Sequence, residues 1–274
     1  MPPARREVSW PGAVLLVGCG NMAGAMLEGW IAGGVPADIF TIVDPARTEA
    51  PAGARIVPAL PGEGAFDVIQ LGIKPQSLDA VVEAVAPLAG PDTTLVSLLA
   101  GVELATLARH FPDAGGLVRA MPNLAVSLGR APVALAASRL DDAARARIVA
   151  FLRPLGTLHW VAEDSFDLVT ALTGSGPAFV YRFIDALGAA ATRLGLTEEQ
   201  ARALSLAMVE GATALAAGSA HTPGRLADMV ASPGGVTREG LDVLDDGEAL
   251  VKLVTATLRA ARDRSAAMAR SARA

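Results

Sequence analysis

The rhythm of apolar and polar positions changes once along this chain. Up to about residue 163, short apolar runs alternate with stretches of helical spacing; beyond it the strand-like runs stop. The runs at 13–17, 39–43, 68–72, 94–98 and 117–120 read as strands, and 22–32, 77–86 and 103–111 carry apolar residues at helical spacing between them. Such alternation predicts a doubly wound, mainly parallel sheet with helices on both faces. Runs at 133–137 and 158–161, on either side of a helix near 141–152, extend that sheet.

The second half reads as helix after helix, with legible stops. Gly195 ends one helix, and Thr197 with Gln200 forms a capping box for the next. Thr222 followed by Pro223 is an N-cap and first-turn pair. The change of pattern predicts a domain boundary, with an α/β domain over residues 1–163 and an all-α domain over 164–274. Helices over 177–194 and 198–217 are apolar on nearly every side, the first carrying only Arg182, Asp185 and Arg193 as charges. A helix without a polar face is buried on all sides. So few helices cannot cover one another, and the pattern predicts that two copies interlock as an obligate homodimer or a larger assembly of dimers.

Composition narrows the partners. The 274 residues are 52% hydrophobic and 19% charged, which supports a large core and argues against disorder. Aromatics are only 4%, and alanine takes their place, which suits closely packed helices. A net charge of −5 argues against nucleic-acid binding, which requires a concentrated basic surface. The mildly basic C-terminus reads as the solvated end of a helix with a frayed tail. No run reaches the ~20 apolar residues of a membrane span, and Arg5 and Arg6 are not followed by an apolar run of signal-peptide length. The single cysteine, Cys19, excludes an internal disulfide. The expected setting is the cytoplasm, with no membrane partner.

The first chemistry lies at residues 13–30, where a strand, a glycine turn and a helix follow in order. Gly18, Gly20 and Ala23 fit G-x-G-x-x-A. The first glycine makes the tight turn, the second lets backbone approach a pyrophosphate, and the small third residue packs helix on strand. Strand before and helix after is the context that pattern requires for a dinucleotide, with a purely structural turn as the other reading. Cys19 reads as a small filler. Asp44, ending the second strand, is placed to accept from a ribose 2′-hydroxyl and favours NADH; Arg47 is placed to grip a 2′-phosphate and favours NADPH. Lys74 and Pro75 follow a strand at the carboxyl edge, where ligands of open α/β sheets bind. That lysine is open to a catalytic role, a cofactor contact or a solvated loop position. Asn123, after Met121 and Pro122, offers an amide to a nicotinamide or substrate, or makes an Asx turn.

Two small-residue notches interrupt the helical half, LTGSGP at 172–177 and ASPGGVTREG at 231–240. Both read as turns that introduce helices, presenting backbone N–H groups and a hydroxyl to a small anion, or as ordinary helix connections. His110, His159 and His221 show no spacing for a shared metal and read as structural or exposed; His221 precedes the second notch.

With these stretches in place the chain resembles the pyrroline-5-carboxylate reductases. The carrying residues are GCGNMA (18–23), GIKPQ (72–76), MPN (121–123), FDLVTALTGSGPAFVY (166–181) and SPGGVT (232–237), in the family's order over nearly the whole chain. The resemblance implies reduction of Δ1-pyrroline-5-carboxylate to L-proline with NADPH or NADH, the last step of proline biosynthesis. It also implies a Rossmann domain with an all-α dimerisation domain, and an interlocked dimer often built further into a decamer, a pentamer of dimers. Ser232, Gly234, Gly235, Val236 and Thr237 would then line the substrate, with the Thr237 hydroxyl toward the ring nitrogen as the catalytic contact. Ser175, Gly176 and Pro177 would shape the floor between substrate and nicotinamide. Gly18, Gly20, Asn21, Met22, Asp44, Arg47, Lys74, Pro75 and Asn123 would hold the cofactor, and no metal takes part. The chain departs from the family at Val236, where threonine or alanine is frequent, and at Ala207-Met208, where many members carry Gln-Thr.

The reaction asks little acid chemistry of a protein. A protonated cyclic imine is already electrophilic, so orientation, a carboxylate anchor and exclusion of water suffice. An alcohol such as Thr237 is too weak an acid to act alone. Three other readings share parts of the pattern. A β-hydroxyacid dehydrogenase would use a lysine of its helical half, and here Lys252 stands in the final helix, away from both notches. A reductase of another cyclic imine would share the motifs. A non-catalytic redox sensor would bind a dinucleotide but would not need two anion-binding turns.

Overall fold

The computed structural model describes residues 10–271, so the expectations for the first residues and the frayed tail fall outside it. The strands are β1 (Val14–Val17), β2 (Phe40–Val43), β3 (Arg55–Val57), β4 (Val68–Leu71), β5 (Thr94–Ser97), β6 (Gly116–Met121), β7 (Ala131–Ser138) and β8 (Gly156–Trp160). They form one eight-stranded sheet in the order β3-β2-β1-β4-β5-β6-β7-β8. Every neighbouring pair is parallel except β6–β7, which is antiparallel. The first six strands have the doubly wound order, with the reversal between β1 and β4. The expected strands are all present. β3 was not expected, because it has only three residues, none of them buried, and therefore writes no apolar run.

The central strands β1, β4 and β5 are buried on both faces, as unbroken runs of a parallel sheet are. Successive residues point to opposite faces, so Leu16 joins one core with Met26, Leu27, Trp30, Phe40 and Ile42, while Leu15 joins the other with Ile69, Leu95, Leu107 and Phe111. The helix α1 (Asn21–Ala32) covers the first face; α2 (Leu78–Val85) and α3 (Leu104–His110) cover the second. α4 (Asp142–Leu152), capped by the Asp141 carboxylate on the Ala144 N–H at 2.6 Å, adds Phe151 to the first. Trp30 stacks on Phe40 at 5.5 Å and on Phe151 at 4.4 Å, the two phenylalanines lie 6.3 Å apart, and the Trp30 Nε1 donates to the Phe151 carbonyl at 2.8 Å. Gln70 of β4 interrupts this pattern without compensation: it is fully buried, and neither end of its amide has a partner among the described residues.

Two compact units divide the chain: residues 1–174 with 261–274, and residues 175–260. The first holds the sheet, α1–α4, the short helix α5 (Phe166–Val169) and the end of the last helix. The second holds α6 (Gly176–Arg193), α7 (Glu198–Gly218), α8 (Pro223–Val230), α9 (Val236–Asp245) and the first half of α10 (Ala249–Ser271). The sequence pattern put the boundary at 163/164; the compact units part at 174/175 and 260/261. The C-terminal end is also not merely solvated. Ser265 of α10 is buried and donates to the Asp167 carboxylate at 2.7 Å, which returns the helix end to the first unit.

In the second unit α6 and α7 pack along one another. The Thr197–Gln200 capping box forms, and Thr222 caps α8 by accepting from the Arg225 N–H at 3.3 Å. Large apolar side chains remain exposed, among them Tyr181, Phe183, Leu204, Met208 and Leu215. No single helix among the described residues is long and apolar enough to cross a membrane.

Candidate active site

The glycine turn after β1 has the geometry its sequence promised. Gly18 lies at φ +83°, and its N–H donates to the Val43 carbonyl at 2.8 Å. A Cβ there would sit 2.8 Å from Ile73 Cγ2 and 2.9 Å from the Gly72 carbonyl carbon, so the turn is pressed onto the end of β4. Gly20 caps α1 in an extended conformation, and a Cβ on it would meet nothing within 4 Å. Gly20 thus leaves an open approach to the first turn of α1, whose N–H groups have no partner within the helix. This is the cradle a pyrophosphate requires.

Beside it lies a cleft of about 480 Å³ lined by Gly20, Asn21, Gly24, Glu28, Asp44 and Arg47, among others. Asp44 accepts from the Cys19 N–H at 2.6 Å and from the Ala46 N–H at 2.9 Å. The Arg47 guanidinium donates to the Cys19 carbonyl at 3.1 Å, the Cys19 sulfur at 3.2 Å and the Glu49 carbonyl at 2.8 Å. Burial pushes the Cys19 thiol up from its ordinary pKa, Arg47 opposes the shift, and Asp44 adds to it. Cys19 is therefore a protonated filler whose carbonyl and sulfur hold an arginine.

Gly18, Gly20, Asn21, Asp44 and Arg47 come together at this loop and cleft, with Met22 in the first turn of α1. Lys74 and Pro75 do not line this cleft and follow the end of β4, against which the Gly18 turn is pressed. Lys74 is exposed and begins a 3-10 turn, and Pro75 borders a separate cavity of about 390 Å³ shared with Gln76, Thr106, His110 and Arg264. Asn123 is buried with both ends of its amide engaged: Oδ1 accepts from the Ala125 N–H at 3.0 Å, and Nδ2 donates to the Thr173 carbonyl at 2.9 Å. The Asx arrangement is thus present, and the remaining donor reaches the first notch. The histidines stand apart, His110 beside Asp79 at 3.5 Å, His159 beside Thr157 at 3.2 Å, and His221 with its backbone on Ser219.

The first notch is not a connecting turn. Residues Thr170–Gly174 form a π-helical turn between α5 and α6, and Ser175 also has helical dihedrals. The wide turn is closed by its own threonines, Thr170 donating to the Phe166 carbonyl at 2.8 Å and Thr173 to the Val169 carbonyl at 2.9 Å. Such hydroxyl-to-carbonyl bonds bend helices, and π turns cluster at functional sites. Ser175 makes no side-chain cap bond, and Gly176 and Pro177 open α6.

The second notch is a true turn. Gly234 lies at φ +68°, the Gly235 N–H donates to the Ser232 carbonyl at 2.9 Å, and α9 starts at Val236. A Cβ on Gly235 would sit 2.5 Å from Ser232 Oγ. Val236 is 91% exposed, so nothing in its own unit packs on it. Thr237 is exposed, and its hydroxyl has no partner among the described residues. The next residue, Arg238, pairs with Asp242 at 2.8 Å, Asp245 at 3.1 Å and Asp228 at 3.9 Å, tying α9 to the end of α8.

Sequence reasoning passed over one cluster. Arg119 of β6 is 3% exposed, donates to Glu163 Oε1 at 3.1 Å and lies 4.1 Å over the Phe166 ring. Glu163 Oε1 also accepts from the Leu104 N–H at 2.7 Å. Burial draws the Arg119 pKa down, with Glu163 opposing. The available signal was a lone charge inside the apolar run LVRAM.

A sheet of this order with a glycine loop at its switch point defines the Rossmann class of dinucleotide-binding folds. The family model describing pyrroline-5-carboxylate reductase dimerisation matches residues 163–268. The chain is 32% identical to the Pseudomonas aeruginosa pyrroline-5-carboxylate reductase over 271 residues, spanning 93% of this chain and 96% of that protein. The Coxiella burnetii pyrroline-5-carboxylate reductase structure superposes with a TM-score of 0.84 at 29% identity, covering 93% and 97% of the two chains. A Plasmodium falciparum pyrroline carboxylate reductase with NADP bound shares the fold at a TM-score of 0.78 and 22% identity, covering 94% and 98%. The chain belongs to the pyrroline-5-carboxylate reductase family.

Proposed function

We propose that this chain reduces Δ1-pyrroline-5-carboxylate to L-proline with a reduced nicotinamide dinucleotide, closing proline biosynthesis. Family membership over 93% of the chain carries the reading. The Ser232–Thr237 turn, with a left-handed, unobstructed Gly234 and a free, exposed Thr237 hydroxyl, supports it. The cofactor, when bound, supplies the hydride. Gly18, Gly20, Asn21 and Met22 hold its pyrophosphate, with Lys74, Pro75 and Asn123 toward the nicotinamide end. The backbone N–H groups of Gly234 and Val236 anchor the substrate carboxylate at the positive end of α9, while the Gly235 N–H holds the turn closed on the Ser232 carbonyl. Thr237 hydrogen-bonds the ring nitrogen, and Ser175, Gly176 and Pro177 form the floor. These groups orient an already electrophilic iminium carbon and need no strong acid.

NADH is the preferred cofactor in this reading. Asp44 and Glu28 bring two carboxylates to the adenosine end of the cleft, and the one arginine there is held by Cys19 and Glu49. The working form is a homodimer, with assembly into a pentamer of dimers as the larger form. The exposed apolar side chains of α6 and α7 and the dimerisation match support a second copy. A free buried cysteine suits the reducing cytoplasm. The test is the initial rate on the imine with each cofactor, for wild type and Thr237→Ala. Turnover that is faster with NADH, and falls in the variant without weaker NADH binding, is expected. No turnover with either cofactor overturns the reading.

A further inference from the structure

Three residues at and just past the end of β6 grip one segment. Side chains two apart on a strand share a face, as Arg119 and Met121 do, and Asn123 follows two residues beyond the strand's end. Arg119 holds the segment's beginning through Glu163 and the Phe166 ring. Met121 lies beside its end, with Sδ 3.6 Å from where a Gly174 Cβ would stand. Asn123 donates to the Thr173 carbonyl. A fourth grip comes from Ser265 on Asp167. The gripped segment is α5 with the π turn, and the residue that follows it is Ser175.

Arginine suits this place better than any apolar residue of similar bulk. Its guanidinium carbon lies over the Phe166 ring, and its fork meets a carboxylate that a backbone N–H already fixes. Its Nε has no partner among the described residues, so the side chain is buried at a cost in polar satisfaction. A buried ion pair is weak evidence for stability and better evidence for register. We infer that Arg119 and Glu163 are positioning residues, which set where the π turn ends and hence how the chain enters Ser175, Gly176 and Pro177. This rests on the proposed reduction for its activity readout, but the clamp itself is a property of the first unit.

The test uses the full chain with Glu163→Gln, Arg119→Met and the double variant. The double variant leaves no unpaired buried charge, so it keeps the fold even where Arg119→Met alone does not. Expected in the double variant is a kcat on the imine lowered about 10- to 100-fold, the scale of a catalytic group displaced by about 1 Å, with KM for the reduced cofactor within about twofold of wild type. Amide exchange at residues 171–176 should quicken at least tenfold, while exchange at Val14–Val17 stays as in wild type. Glu163→Gln, which keeps both acceptor contacts, should retain most of kcat. Unchanged exchange at 171–176, or faster exchange with wild-type kcat, overturns the inference. A wild-type chain that turns over no imine overturns the proposed reduction instead, and exchange still decides the clamp.

Discussion

The two glycines of the dinucleotide loop should fail in opposite ways when each is changed to alanine. Gly18 is at φ +83°, where an L side chain is strained, and its Cβ would come within 2.9 Å of two backbone atoms at the end of β4. The left-handed conformation costs about 1–2 kcal/mol, and displacing packed atoms about 1–3 kcal/mol more. Gly18→Ala should therefore lose about 2–5 kcal/mol, or about 4–20 °C in thermal midpoint for a unit of this size. Gly20 has φ −69° and open space around a Cβ. Its alanine variant should melt within about 3 °C of wild type, a change of about 1 kcal/mol or less. That Cβ enters the space the pyrophosphate must share with bare backbone, so reduced-cofactor affinity should fall about tenfold, equal to about 1.4 kcal/mol. Thermal melts at fixed protein concentration, with fluorescence titration of NADH and NADPH, read both quantities. Equal melting losses in the two variants, or undiminished binding in Gly20→Ala, would refute the assignment of one glycine to the turn and the other to the ligand.

Gln70→Met should stabilise the fold by about 1–3 kcal/mol in urea titration, because it removes an amide buried without a partner; a loss would show that the amide is bonded. Cys19 should alkylate much more slowly than a free thiol at pH 8 and faster as pH rises. The sign follows from the raised folded pKa: the stability it contributes is present below the ordinary thiol pKa and is lost as pH climbs through the folded value, so the melting midpoint should drop on the alkaline side, and Cys19→Ser should flatten that drop. Leu204→Asp, on an exposed apolar face of α7, should turn a dimer into a monomer at micromolar concentration by sedimentation. Losing one leucine burial is worth about 1.5–3 kcal/mol before the carboxylate is desolvated; an intact dimer would remove this face from the interface.

The parallel sheet was legible because strands buried on both faces write unbroken apolar runs, and the glycine loop because its spacing is fixed by backbone geometry. β3 was not, since three half-exposed residues leave no pattern. The notch at 172–177 was seen but read as a turn: Gly and Ser score as turn formers, while here its first residues lie in a π-helical turn and the Thr173 hydroxyl bonds the Val169 carbonyl. Asn123 was read with two options, and the structure uses its oxygen for one and its nitrogen for a contact no local pattern encodes. The Arg119 cluster joins residues 44 apart, beyond the range of any periodicity.

The π turn at Thr170–Gly174 places its helix out of step with itself. An α-helix advances by about 100° and 1.5 Å per residue, so losing a single residue from this stretch would let an ordinary helix run straight through. Nothing in hydrophobic content or length would register the loss. Yet Ser175, Gly176 and Pro177 would swing more than a quarter circle about the axis of the helix they open.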